Sequence, residues 1–119
     1  MDDVHDPELQ VSVFEEGGAT VIAVEGELDA ASTPELSHPL SRAVAEGARV
    51  VLDLSDVGFV DSTGLHAIID ARTEADDHGG RVELCCEPDG PVARVIEVAL
   101  PGMIELHPTR EAALEALSG

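Results

Sequence analysis

Apolar residues recur with two different periods along this 119-residue chain, and the switches between them mark out its elements. Leu9 to Phe14 alternates, with Val11 and Val13 on one side. After the turn Glu15-Glu16-Gly17-Gly18, Ala19 to Glu25 ("ATVIAVE") reads as a second strand, so the two predict a hairpin. Arg49 to Leu54 ("RVVLDL") and Arg81 to Cys86 ("RVELCC") predict a third and a fourth strand, and Met103 to Leu106 a short last one. Ser55 to Val60 reads as a connection.

Between the strands the period lengthens. From Ser62 to His78, Leu65, Ile68, Ile69 and Arg72 fall at helical spacing, Ala67, Ala71 and Ala75 fill in, and Gly79-Gly80 ends the run. Pro91 to Leu100 predicts a helix begun by proline and stopped by Pro101-Gly102. Thr109 to Leu117 predicts a terminal helix with Ala112, Ala113, Ala116 and Leu117 available for docking. The first helix, between Ser32 and Glu46, has two possible starts: a capping box of Ser32 with Glu35, or Thr33 as cap before Pro34. Pro39 removes a helical hydrogen bond and predicts a kink, or a short turn with the helix proper starting at Ser37. Gly47 closes it.

The order β-β-α-β-α-β-α-β-α predicts an α/β fold. Its sheet is mixed and mostly parallel, of four to five strands, opening with an antiparallel hairpin and carrying helices packed against it. Met1 to Glu8 is acidic and polar and reads as a loose tail, leaving residues 9–119 as one domain.

Composition narrows the partners. A 44% hydrophobic content supports a core, but with two Phe and no Tyr or Trp that core is aliphatic, and stacking platforms for nucleic-acid bases are missing. Twenty-five acidic residues stand against six Arg, a net charge of −19. Such a surface repels nucleic-acid phosphates and anionic lipid headgroups, and suits a basic protein partner or simple solubility. Cys85 and Cys86 are neighbours on a strand and point to opposite faces, so they do not pair. The five His show no metal-ligand spacing, and no nucleotide-binding glycine motif is present, so no metal or cofactor is expected. With no signal peptide or apolar run of membrane length, the expected setting is cytoplasmic.

The candidate chemistry gathers where the third strand hands over to the central helix, at Val60-Asp61-Ser62-Thr63-Gly64. A hydrolase reading would take Ser62 as nucleophile, with Asp89 and His107 following in order. However, the first glycine of a nucleophile elbow is Val60 here, and the chain is too short for the usual sheet. A purely structural reading has Asp61 or Ser62 capping the helix, worth about 1 kcal/mol. It leaves Gly64 unexplained, since glycine so early in a helix costs stability unless something must approach closely.

Two signatures decide between these readings: "GELD" at Gly26 to Asp29, leaving the second strand, and "VDSTGL" at Val60 to Leu65, within "LDLSDVGFVDSTGL". With them, from about Leu9 onward, the chain resembles the bacterial anti-sigma factor antagonists of the STAS (sulfate transporter and anti-sigma factor antagonist) family. The resemblance implies a non-enzymatic switch. Unphosphorylated, it would bind an anti-sigma factor serine kinase and so free a sigma factor. Phosphorylation at Ser62 would end binding, and a serine phosphatase would restore it. Asp29, Asp61, Ser62, Thr63 and Gly64 would form the partner surface. The alternative implied by the same family is a subunit of a phospholipid-transport ATPase complex or of a sensory signalling complex, where the hydroxyls serve docking. Pro39 and the cysteine pair fall outside the family pattern.

Overall fold

The computed structural model describes residues 9–118, so the expected N-terminal tail lies outside the described residues. Five strands form one sheet in the order β1-β2-β3-β4-β5. They are β1 (Leu9–Glu16), β2 (Ala19–Leu28), β3 (Arg49–Val60), β4 (Arg81–Cys85) and β5 (Leu106–His107), and the helices are α1 (Thr33–Ala45), α2 (Ser62–Asp77), α3 (Pro91–Ala99) and α4 (Arg110–Ser118). β1 and β2 are the antiparallel hairpin, and the remaining neighbours run parallel. The mixed, mostly parallel sheet expected from the element order is the one found.

Alternation along the strands sorts side chains onto two faces. One face carries Ile22, Val24, Leu52, Leu54 and Leu84, closed over by Leu36 and Leu40 of α1, Leu65 and Ile68 of α2, and Ile96 of α3. Each such aliphatic side chain contributes about 1.5–3 kcal/mol by leaving water. The other face carries Ala19, Val21, Val51 and Cys85 beneath Ala113 and Leu117 of α4. Cys86 belongs to the first cluster and Cys85 to the second, and both thiols are free, as their adjacency predicts. Burial, then nearby Asp53, pushes the Cys85 thiol up to about 12, so it is inert.

Arg110 pins α4 to this second face. Its Nε donates to Asp53 Oδ2 at 3.0 Å, its Nη1 lies 3.7 Å from Glu16, and its guanidinium stands 5.1 Å over the Phe14 ring. Burial alone would raise the Asp53 carboxyl. Hydrogen bonds from Ser55, Arg110 and the Cys85 thiol outweigh it and hold the group below its ordinary value.

Three local expectations are corrected, and of the two readings of Pro39 the short turn is excluded. Residues 55–60, read as a connection, continue β3, because Asp56, Val57, Phe59 and Val60 pair with Glu25, Gly26, Glu27 and Leu28. β2 correspondingly runs on to Leu28. Two register shifts accommodate the extra residues, and Gly26 sits at one of them with φ of 121°, a conformation that favours glycine. α1 is one helix from Thr33 through Pro39, with no separate turn before Ser37. The burial of Leu36, Leu40, Ala43 and Val44 on its inner face outweighs the ~3 kcal/mol that an interior proline costs. The last strand is Leu106–His107 rather than Met103 to Leu106, because the Met103 N–H closes a turn onto the Leu100 carbonyl.

Candidate functional site

β2 and β3 end side by side, with Leu28 paired to Val60, and each is followed at once by an aspartate. The two signatures, far apart in sequence, thereby become one corner of the molecule. The Asp61 N–H donates to the Leu28 carbonyl at 3.0 Å and stitches the two chain segments together beyond the sheet.

At the β2 end, Asp29 organises the turn into α1. Its Oδ1 accepts from the N–H groups of Ala31 at 3.0 Å and Ser32 at 2.9 Å, and its carbonyl accepts from Thr33 at 2.8 Å. Ser32 is 2% exposed. It stands at the helix start, yet its hydroxyl does not cap the helix. It turns back, donating to the Glu27 carbonyl and accepting from the Asp29 N–H. The capping-box start is therefore replaced by a turn in which Asp29 and Ser32 brace each other.

At the β3 end, Asp61 is the cap of α2. Its backbone is extended, its Oδ1 accepts from Thr63 N–H at 2.9 Å and Gly64 N–H at 3.1 Å, and its carbonyl accepts from Leu65 N–H at 3.0 Å. Two of the donors that a helix start leaves unpaired are thus met by one carboxylate. Ser62 and Thr63, next in the chain, are exposed. Gly64 is buried, and its reason is internal. A Cβ there would lie 2.9 Å from Val60 Cγ2 and 3.1 Å from Leu28 Cβ, so glycine lets the first turn of α2 seat directly on the two strand ends.

Asp29, Asp61, Ser62, Thr63 and Gly64 therefore fall in one corner, with Ser62 and Thr63 outermost. The field there is negative: residues 25–31 and 55–64 carry Glu25, Glu27, Asp29, Asp56 and Asp61 and no Arg. The structure does not bring His107 to Ser62. His107 pairs with Cys85 at the level of Asp53, well back along β3, and its Nε2 lies 2.8 Å from Glu83 Oε1. No base–nucleophile geometry forms around Ser62 from these residues.

Sequence spacing missed a second cluster. Glu83, Glu105 and His107 place ligand-type atoms within 4.8 Å of one another. Glu83 already holds Arg81 Nε at 2.7 Å as well as His107, so its two oxygens are committed within the fold. Only the parallel pairing of β4 and β5 brings these residues together, so no local motif signals them.

The chain compares with known proteins as follows. A family model described as the STAS domain matches residues 10–113. The chain is 24% identical over 112 residues to the anti-sigma F factor antagonist of Paenibacillus polymyxa, covering 92% of this chain and 93% of that protein. It is similar in fold to the crystal structure of an anti-sigma factor antagonist from Mycobacterium paratuberculosis, with a TM-score of 0.83 at 24% identity over 98% of this chain and 100% of the other. It is also similar to the phosphorylated form of the Bacillus cell fate determinant SpoIIAA, with a TM-score of 0.65 at 23% identity over 91% and 97% of the two chains. No helix among the described residues is long and apolar enough to cross a membrane.

Proposed function

The chain belongs to the STAS domain family, and from that premise we propose that it is an anti-sigma factor antagonist switched by phosphorylation of Ser62. Unphosphorylated, it holds an anti-sigma factor serine kinase through the corner of Asp29, Asp61, Ser62, Thr63 and Gly64, and so frees a sigma factor. Phosphorylation ends the hold, and a serine phosphatase restores it. The chain itself catalyses nothing in this scheme, needs no metal or nucleotide of its own, and works in the cytoplasm.

One observation carries the reading: the Ser62 hydroxyl is exposed at the first position of α2 while Asp61 performs the capping. Among the described residues nothing bonds this hydroxyl, so its modification leaves the contacts of the fold in place. A phosphate adds roughly −1.5 to −2 charges, and the positive end of the α2 dipole favours negative charge at this position. A partner closing over the same corner does not, because the new charge meets Asp61 and loses water without gaining a counter-ion. Modification therefore separates folding from binding.

The test incubates wild type, Ser62→Ala and Thr63→Ala with the kinase and ATP, and locates phosphate by mass spectrometry. Phosphate on Ser62 in wild type and Thr63→Ala, with none on Ser62→Ala, is expected. Ser62→Asp should keep its circular dichroism spectrum and lose the partner. Phosphate on Thr63 moves the switch by one residue, and a Ser62→Asp protein that binds like wild type ends the proposal.

A further inference from the structure

Among the described residues, α4 covers only part of the second face of the sheet. α4 lies over Ala19, Val21, Val51 and Cys85, toward the beginnings of β2 and β3. Toward their far ends, Glu25 pairs with Asp56 and Glu27 with Phe59, and pairing places these four side chains together on the face opposite Leu28 and Val60. All four are exposed, and no helix among the described residues covers them. The chain has two aromatic residues. Phe14 is covered in part by the Arg110 guanidinium, whereas Phe59 is 47% exposed with no cation over its ring among the described residues. Phe59 also lies three positions before Ser62, where β3 leads into the switch corner.

We infer that the partner surface extends from Ser62 around the strand ends onto this bare face, with Phe59 as an apolar anchor that enters a pocket rimmed by Arg or Lys on the anti-sigma factor. An aromatic anchor within a polar rim is the arrangement in which few residues carry most of an interface's energy. Charge selects the occupant. Glu25, Glu27 and Asp56 flank the ring without a basic residue among them, so the complementary surface is cationic. A second copy of this chain brings another −19, and the first eight residues bring Asp2, Asp3, Asp6 and Glu8. Both are like-charged with the patch and are disfavoured as its cover. The inference rests on the proposed function for the identity of the partner, and it adds a contact residue outside both signatures.

The test uses the purified anti-sigma factor kinase from the same genome and titrates it with wild type, Phe59→Ala, Ser62→Asp and the triple variant Glu25→Gln/Glu27→Gln/Asp56→Asn. Phe59→Ala should weaken binding on the order of tenfold to a hundredfold at unchanged circular dichroism. The triple variant should weaken it at low salt and flatten its salt dependence. If Phe59→Ala binds like wild type while Ser62→Asp releases the kinase, the extended surface is wrong and the switch stands. If Ser62→Asp binds like wild type while Phe59→Ala does not, the switch falls and the patch remains. Two further results overturn the inference by giving the patch another cover. One is a wild-type dimer in sedimentation that Phe59→Ala dissociates. The other is tighter kinase binding on removal of residues 1–8, which would seat the chain's own tail there.

Discussion

Two serines stand at two neighbouring strand-to-helix corners, and the fold treats them in opposite ways. Ser32 precedes α1, is buried, and spends its hydroxyl on the Glu27 carbonyl and the Asp29 N–H. Ser62 begins α2, is exposed, and takes no part in capping because Asp61 accepts from both Thr63 and Gly64. Residue type and nearness to a helix start are shared, so neither makes a switch. The difference lies in the partner aspartate. Asp29 shares its turn with Ser32, whereas Asp61 holds α2 alone and releases the serine beside it. A hydroxyl becomes available for regulation when a neighbour has taken over its structural work.

The largest effect should come from pressing on the α2 corner from inside. Gly64→Val places a branched side chain where a Cβ already meets Val60 and Leu28 at 2.9 and 3.1 Å. Overpacking costs about 1–3 kcal/mol, and the upper end is expected here because two strand ends must give way. Thermal unfolding should drop by roughly ten degrees, at about 4 °C per kcal/mol, where the ranges for smaller and larger domains meet. A Gly64→Val protein as stable as wild type would show that the glycine serves an outside contact instead.

Next is the buried serine. Ser32→Ala removes the bonds to Glu27 and Asp29 in a site 2% exposed, leaving backbone groups short of partners. The expected cost is about 2 kcal/mol, within the range for orphaning a buried polar group. Chemical denaturation should read it as a lower midpoint with unchanged slope. An unchanged midpoint would erase the contrast between the two corners.

How far these corners were legible in sequence follows from the range of the forces involved. Local signals worked where the deciding contacts are local: the Gly17-Gly18 turn between β1 and β2, the apolar spacing of Leu65, Ile68 and Ala71, and Asp61 as a cap. They failed where a distant segment decides. "SDVGFV" resembles a loop until β2 runs alongside it, and Pro39 resembles a break until the core claims Leu36 and Leu40. The site divides in the same way. Ser62 and its cap stand in one motif, but the meeting of Asp29 with Asp61 depends on the Leu28–Val60 register, and Gly64 is explained only by side chains on two strands. Phe59 passed as a connection residue until its strand gave it a face.

Removing the α2 cap should cost less than either change above. Asp61→Ala withdraws the acceptor from exposed Thr63 and from Gly64, whose bond is only part-buried, and water replaces part of what is lost. The expected loss is about 1 kcal/mol, as for other capping residues. Asp61→Asn should recover most of it, since an amide oxygen accepts the same hydrogen bonds. A full recovery of stability without recovery of kinase binding would separate the carboxylate's charge from its capping. Equal recovery of both would make Asp61 a structural residue alone.

The smallest effect on stability should be at the residue proposed to matter most for function. Ser62→Ala removes an exposed hydroxyl that the helix start does not use, and alanine is the best helix former. The free energy of unfolding should change by no more than about 0.5 kcal/mol, the usual bound for surface changes clear of special features. Measured beside Ser32→Ala in the same denaturant series, it tests the comparison directly, because both variants delete one hydroxyl from one strand-to-helix corner. A loss matching that of Ser32→Ala would mean that the Ser62 hydroxyl is structural after all. Phosphorylation would then act by loosening α2, and the phosphorylated protein would melt earlier than the unmodified one. A negligible loss, with phosphate acceptance abolished, places the whole consequence of modification in the encounter with the partner, as the division of labour between Asp61 and Ser62 requires.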